Sequence, residues 1–307
     1  MVNKICEVAE HLNTILKSSL VVQNEPMCVH TTFKIGGPAD VCVFPSSKDD
    51  LVQVLNYCVN EHIDYFIVGN GSDLLVSDKG IRGVVIVLRE NFSDIKIEDN
   101  CITAQAGALL HDVAIAAADV GLSGLEPLWG IPATVGGACF MNAGAYGSET
   151  SVVLKSLCAW DPRDGQVHNF CNDELEMGYR KTRVRDDGLV VLDATFCLNR
   201  ADSDDIRKDM NNYQLRREEK QPLNLPSAGS TFKRPEGYFA GKLIMDSGLR
   251  GVRIGGAQVS TKHCGFVVNI DNATASDVDK LICHIQQEVQ RRFGVHLECE
   301  VLHVGEF

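Results

Sequence analysis

The chain of 307 residues sets 29 basic against 41 acidic side chains, a net charge of −12, so its long-range field repels nucleic acid and anionic membrane surfaces. An anionic small molecule would have to be met by a local cationic pocket. With 45% hydrophobic and 23% charged residues the balance is that of a globular protein, the length allows two or three cores, and no apolar run reaches the length of a membrane span.

The opening stretch, "MVNKICEVAEHLNTIL", has a short, interrupted apolar segment and no cleavage motif, so it does not read as a signal peptide, and a cytoplasmic protein is expected. "SSKDDLVQVLNYCVNEH" predicts a helix capped by Ser47, with Leu51, Val54, Leu55 and Cys58 on one face. "DYFIVGNGSD" is a short apolar strand running into a glycine turn, and "GVVIVLRE" is a second strand. "LLHDVAIAAADVG" predicts an alanine-rich helix ending at Gly121, and "LVVLDATFCLN" a later strand. The charged stretch "ADSDDIRKDMNNYQLRREEKQP", closed by Pro222, reads as a solvated helix linking two domains. Val278, Leu281, Ile282, Ile285, Val289 and Phe293 then fall at helical spacing, with Gly294 as the stop and a last strand in "VHLECEVLHVG". Strand and helix patterns alternating in this way predict an α/β or α+β architecture.

Twelve cysteines are scattered from Cys6 to Cys299 with no Cys-x-x-Cys pair and no spacing suited to zinc, so they read as small hydrophobes and no metal is expected. Two stretches are dense in glycine: Val68 to Val76 ("VGNGSDLLV") and Gly130 to Gly147 ("GIPATVGGACFMNAGAYG"). Neither is a Walker loop or a Rossmann fingerprint. Glycine lets backbone approach a ligand and turn N–H groups toward an anion. Two such loops, both short of charge, point to a dinucleotide held by backbone amides. In "PSAGSTFKRPEG" a small-residue turn presents Ser230 and Thr231 just before Lys233 and Arg234. That is either ordinary turn chemistry or a site that holds a phosphorylated substrate while giving it a proton.

The blocks "TTFKIGGPAD", "VGNGSDLLV", "GLSGLEPLWGIPATVGGACFMNAGAYG", "GYRKTR", "PSAGSTFKRP", "AGKLIMDSGLRG", "GGAQVSTKHCGFVVN" and "LECEV", in that order, resemble the UDP-N-acetylenolpyruvoylglucosamine reductase family over about residues 26 to 305. The resemblance implies an α+β fold: an FAD-binding domain of the vanillyl-alcohol-oxidase (PCMH) type over residues 1–200, in two subdomains of about 1–88 and 89–200, and a smaller C-terminal α/β substrate domain over 201–307. It implies a flavoenzyme that takes hydride from NADPH and reduces the enolpyruvyl ether of a UDP-sugar, giving UDP-N-acetylmuramate for the cell wall. The flavin does the redox work and the protein supplies orientation, electrostatics and a proton.

Residue by residue, the resemblance makes Arg180 the partner of the substrate carboxylate, Glu300 a stabiliser of the enolate, and Ser230 the proton donor to C2. It assigns cofactor binding to Val68, Gly69, Asn70, Gly71 and Ser72, and to Gly130, Ile131, Pro132, Thr134, Val135, Gly136 and Gly137. Lys233 and Arg234 are expected at the substrate diphosphate, and Lys262 and His263 at the substrate or in domain packing. Arg180 and Ser230 stand 49 residues apart, which resembles the shorter class of the family, without the inserted loop whose tyrosine closes over the diphosphate. Asp73 stands where Asn is frequent, Arg234 where Asn is, and Thr182 where Ser is. No histidine lies in "VGNGSDLLV", so FAD is expected to be non-covalent. No metal, nucleic acid, membrane or obligate protein partner is expected. A different FAD-dependent oxidoreductase of this fold and a catalytically silent nucleotide-binding module are the competing readings.

Overall fold

Ser47 starts the helix Lys48–Asn60 by accepting from the Asp50 N–H at 3.1 Å, and the helix buries Leu51, Val54, Leu55 and Cys58, the face its spacing predicts. The structure is a computed structural model and describes residues 2–307. The chain divides into two compact units, one of residues up to 23, 41–70 and 83–217, the other of residues 24–40, 71–82 and 218–307.

The first unit holds most of a four-stranded sheet in the order Leu20–Pro26, Pro38–Phe44, Ile81–Val87, Tyr65–Val68, the last two parallel. It also contains a five-stranded antiparallel sheet in the order Gln166–Cys171, Leu154–Asp161, Val190–Cys197, Cys101–Gln105, Ile95–Glu98. The helices Lys48–Asn60 and Leu110–Asp119 pack with both sheets into one core. Trp160, fully buried there, satisfies its indole N–H on Asn56 Oδ1 at 3.0 Å.

The second unit contains the antiparallel sheet Arg253–Ile254, Ala257–Val259, Val267–Asn269 and a parallel pair, Leu74–Val76 with Leu302–Val304. Its helix Ala275–Phe293 opens on a capping box of Thr274 and Asp277 and stops at Gly294, in the left-handed region at φ +66°. Val278, Leu281, Ile282, Ile285 and Val289 are buried along it, but Phe293 is 40% exposed. It sits in the last turn, past the end of the core that the stripe faces.

The units differ from the expected boundaries in two places. Most of the charged helix Ser203–Lys220 groups with the first unit, through Trp129 Nε1 on Met210 O (3.0 Å) and Tyr146 OH on Tyr213 O (3.3 Å). Residues 24–40 and 71–82 group with the second, through Thr32 Oγ1 on Ser227 O (2.7 Å), the Ala275 N–H on Asp78 Oδ1 (2.8 Å), and the parallel strand pair.

Candidate active site

In the first unit, the start of the first glycine loop is tied to the second loop. Asn70 Nδ2 donates to Pro132 O at 2.7 Å. Gly69 lies so close to Thr134 that a Cβ on it would stand 2.2 Å from the Thr134 hydroxyl, so this contact exists only with glycine. Gly71 adopts φ +58°, and a side chain there would meet the His30 carbonyl at 2.2 Å. Among the described residues, the N–H groups of Gly69, Asn70, Gly71 and Ser72 donate to no protein acceptor, which is the arrangement a pyrophosphate needs.

The second loop works differently. Val135 and Gly136 donate their N–H groups to Ala108 O (2.8 Å) and Ala106 O (2.9 Å), and the Gly137 N–H goes to Thr134 Oγ1 (3.4 Å), the N-cap of the helix Val135–Met141. Those amides shape the loop; what they leave for a ligand is close approach of backbone. Arg217 faces the same loop, its Cδ and Nη1 at 3.1 and 3.2 Å from the place a Gly130 Cβ would take. Its Nε is sealed from solvent with no hydrogen-bond partner, and burial lowers the pKa of the guanidinium. An anion beside Gly130 would satisfy it. Open amides, a cradle only glycine permits and an orphaned guanidinium N–H together fit FAD. Cys139, fully buried with its thiol pushed up to about 12 by burial, is not a thiolate available for attachment.

The same short helix carries the turn that bears Arg180. Asn142 caps its C-terminus in the left-handed region (φ +43°) and is fully buried. Its Nδ2 donates to Gly178 O at 3.0 Å, and its Oδ1 accepts from the Ser151 N–H at 2.9 Å. Thr182, also buried, donates to Phe140 O at 2.9 Å. Between these anchors Gly178 and Lys181 exchange backbone bonds of 2.8 and 3.1 Å, which forces Arg180 to φ +54° and lays its guanidinium over the Tyr179 ring at 5.1 Å. Strain of this kind in a non-glycine residue persists only where the surroundings impose it. A seven-residue helix spans about 10 Å, so one rigid element holds the second glycine loop at its start and Arg180's turn at its end.

In the second unit, the segment carrying Ser230 is laid between two others. Thr231 donates its N–H to Gly265 O (2.8 Å), and its buried hydroxyl accepts from the Val267 N–H (3.0 Å). On the other side Glu300 N–H donates to Thr231 O, Lys233 N–H donates to Glu298 O, both at 2.9 Å, and Phe232 bridges Cys299. Ser230 and Glu300 are thereby brought onto adjacent antiparallel segments, Ser230 exposed and Glu300 half-buried. Arg180 belongs to the first unit, Ser230 and Glu300 to the second.

A cleft of about 440 Å³ in the second unit is lined by Lys233, Arg234, Glu236, Tyr238, His296 and Glu298. Lys233 is ion-paired with Glu298, so an anion would have to displace that carboxylate, and Arg234 stacks on the Phe239 ring at 4.1 Å. Lys262 Nζ donates to Glu218 O. His263 Nδ1 accepts from the Gly265 N–H at 3.1 Å, its ring meets Phe266 edge-on, and burial lowers its pKa. The ring is thereby engaged within its own segment, as the packing alternative expects. The sequence reading missed Asn142 and Arg217. An asparagine after a short apolar run is a recognised left-handed cap signal, whereas nothing marks Arg217 within its charged run.

Residues 221–304 match the family model described as UDP-N-acetylenolpyruvoylglucosamine reductase, C-terminal domain, and residues 39–170 match an FAD binding domain. The chain is 47% identical over 294 residues, 96% of each chain, to the UDP-N-acetylenolpyruvoylglucosamine reductase of Clostridium botulinum (strain Eklund 17B / Type B). It is 47% identical over 303 residues, 99% of each, to that of Clostridium perfringens (strain SM101 / Type A). The crystal structure of UDP-N-acetylenolpyruvylglucosamine reductase from Thermus caldophilus superposes with a TM-score of 0.80 at 34% identity, covering 94% of this chain and 99% of that one.

Proposed function

The chain belongs to the UDP-N-acetylenolpyruvoylglucosamine reductase family, and from that premise we propose that Arg180, Ser230 and Glu300 carry the family's reaction in it. It is an FAD-dependent oxidoreductase with NADPH as hydride donor, reducing UDP-N-acetylenolpyruvoylglucosamine to UDP-N-acetylmuramate in peptidoglycan synthesis. Bound FAD supplies the redox chemistry, accepting hydride from NADPH and returning it to the enolpyruvyl double bond.

What remains falls to the chain's own side chains. Arg180, held by the strained turn, pairs its guanidinium with the substrate carboxylate and holds it as enolate character grows. Glu300 hydrogen-bonds the same developing enolate. Ser230 gives its hydroxyl proton to C2, a transfer a serine can make because an enolate is a strong base. Arg234 and Lys233 bind the diphosphate, with Glu298 exchanged away from Lys233. The amides of residues 69–72 would hold the FAD pyrophosphate non-covalently, and the glycine-rich backbone of residues 130–137 would allow the cofactor's close approach. Cofactor binding within residues 1–200 and substrate binding within 201–307 are supported by the family matches at 39–170 and 221–304. No helix among the described residues is long and apolar enough to cross a membrane. We place the enzyme in the cytoplasm, where its nucleotide substrates are made, and assign it no nucleic-acid or obligate protein partner.

The observation that carries the assignment is the ladder joining residues 231–233 to 298–300, which sets Glu300 across from Thr231, the neighbour in sequence of exposed Ser230. Ser230→Ala tests it by separating the two half-reactions. NADPH should still reduce the flavin at a near-normal rate, while reoxidation by the enolpyruvyl substrate slows by about 10²–10⁴, the range for a lost general acid. Equal slowing of both halves would return Ser230 to the role of a turn residue.

A further inference from the structure

Cys101 and Cys197 close the same rung of the five-stranded sheet, as paired residues of the strands Cys101–Gln105 and Val190–Cys197, with their sulfur atoms 2.7 Å apart. On the neighbouring rung the Leu198 N–H donates to Asn100 O at 2.9 Å. An antiparallel ladder alternates hydrogen-bonded and non-hydrogen-bonded pairs, so the cysteines occupy the second kind, whose Cα atoms stand about 4.5 Å apart. That lies within the span of about 4.4–6.8 Å that a disulfide bridges. Thr103 and Thr195, two residues along on the same face, repeat the juxtaposition with hydroxyls 2.9 Å apart. The sulfurs need approach by only about 0.7 Å to reach bonding distance. Both cysteines are partly exposed, so a small oxidant reaches them.

We propose that Cys101 and Cys197 form a reversible redox modification site, a cross-strand dithiol that small-molecule disulfides oxidise to an intramolecular disulfide. One thiolate attacks a sulfur of the oxidant, forming a mixed disulfide and releasing one small thiol. The second cysteine loses its proton and attacks the protein sulfur of that mixed disulfide, forming the Cys101–Cys197 bond and releasing the second small thiol. The protein loses two hydrogens and two electrons, and the oxidant gains them. In the reduced pair, ionisation of Cys197 is opposed first by its hydrogen bond with Cys101, then by burial, and is eased by Lys155. Once the first cysteine is held in the mixed disulfide that hydrogen bond is gone, and the cross-strand contact presents the second sulfur already in register for its attack.

The bond would staple the strand that leads into Ala106 and Ala108, whose carbonyls hold Gly136 and Val135 of the second glycine loop. The experiment uses the FAD-loaded protein, incubated with oxidised glutathione, alkylated, digested without reduction and mapped by mass spectrometry. The expected product is one cross-linked peptide pair joining Cys101 to Cys197, two hydrogens lighter than the reduced pair and reversed by dithiothreitol. Its melting temperature should rise by about 5 °C or more, because the bond closes a long loop. In Cys197→Ser, Cys101 should keep its glutathione adduct, having no neighbour to resolve it. Exposed Cys171 reports in the same sample whether the oxidant has acted. Modified Cys171 alongside alkylated or separately glutathionylated Cys101 and Cys197 in the unsubstituted protein would overturn the proposal.

Discussion

Replacing Asn142 tests whether one buried amide positions Arg180. Asn142 is fully buried, supplies one donor to Gly178 O and one acceptor to the Ser151 N–H, and stands at φ +43°. Asn142→Gly keeps the backbone conformation without strain but leaves both partners unmatched. Each unmatched group costs about 1–3 kcal/mol, and both partners are only half-buried, so about 2–4 kcal/mol in total is expected. Asn142→Ala loses the same bonds and adds about 1–2 kcal/mol for a Cβ in the left-handed region. The order of stability should therefore be native, then Gly, then Ala, read by urea unfolding with FAD at equal saturation. Since Gly178 is two residues from Arg180, both variants should also slow flavin reoxidation by the substrate about 10–100-fold, as a misplacement near 1 Å does. Reduction by NADPH should change little. A glycine variant no more stable than the alanine variant would refute the backbone argument. Equal loss in both half-reactions would refute the link to Arg180.

Gly69→Ala puts a Cβ 2.2 Å from the Thr134 hydroxyl, an overpacking of about 1–3 kcal/mol. Fluorescence titration should show FAD binding weakened about 5–150-fold, with Thr134→Ala in the same chain restoring part of it; unchanged affinity in the single variant would remove the close approach as a reason for glycine. Arg234→Ala should weaken the sugar nucleotide by about 1.5–3 kcal/mol relative to a diphosphate-free fragment in isothermal titration, whereas equal losses for both ligands would take Arg234 away from the diphosphate. His263 has a folded pKa below its ordinary value near 6.5. Between those values the unfolded chain binds a proton that the folded chain does not, so its contribution to stability falls as pH drops below about 6.5 and is fully kept above it. His263→Asn, which keeps an acceptor for the Gly265 N–H, should show a shallower fall in melting temperature from pH 7.5 to 5.5; parallel curves would show that His263 is not the group responsible.

The helices Lys48–Asn60 and Ala275–Phe293 were legible because Ser47 and Gly294 act on groups within a few residues of themselves. The glycine loops were legible from composition over ten residues, whereas Arg180, Ser230 and Glu300 were marked by the resemblance of their motifs to those of the family. What each offered group is used for was decided elsewhere. The amides of Val135 and Gly136 look as open to a ligand as those of residues 69–72 until Ala106 and Ala108 arrive from another part of the chain and take them. Lys233 reads as a free phosphate ligand until Glu298, 65 residues on, is laid beside it. Cys101 and Cys197, 96 residues apart, read as two scattered apolar positions until the sheet register makes them one rung. The strained φ of Arg180 and the cap that enforces it depend on a contact between residues 142 and 178. Sequence alone determined which groups were available, because side-chain chemistry and local backbone preference belong to each residue. Tertiary structure decided which of them were consumed and which left for ligands, because a hydrogen bond or ion pair between distant residues exists only once the chain between them has folded.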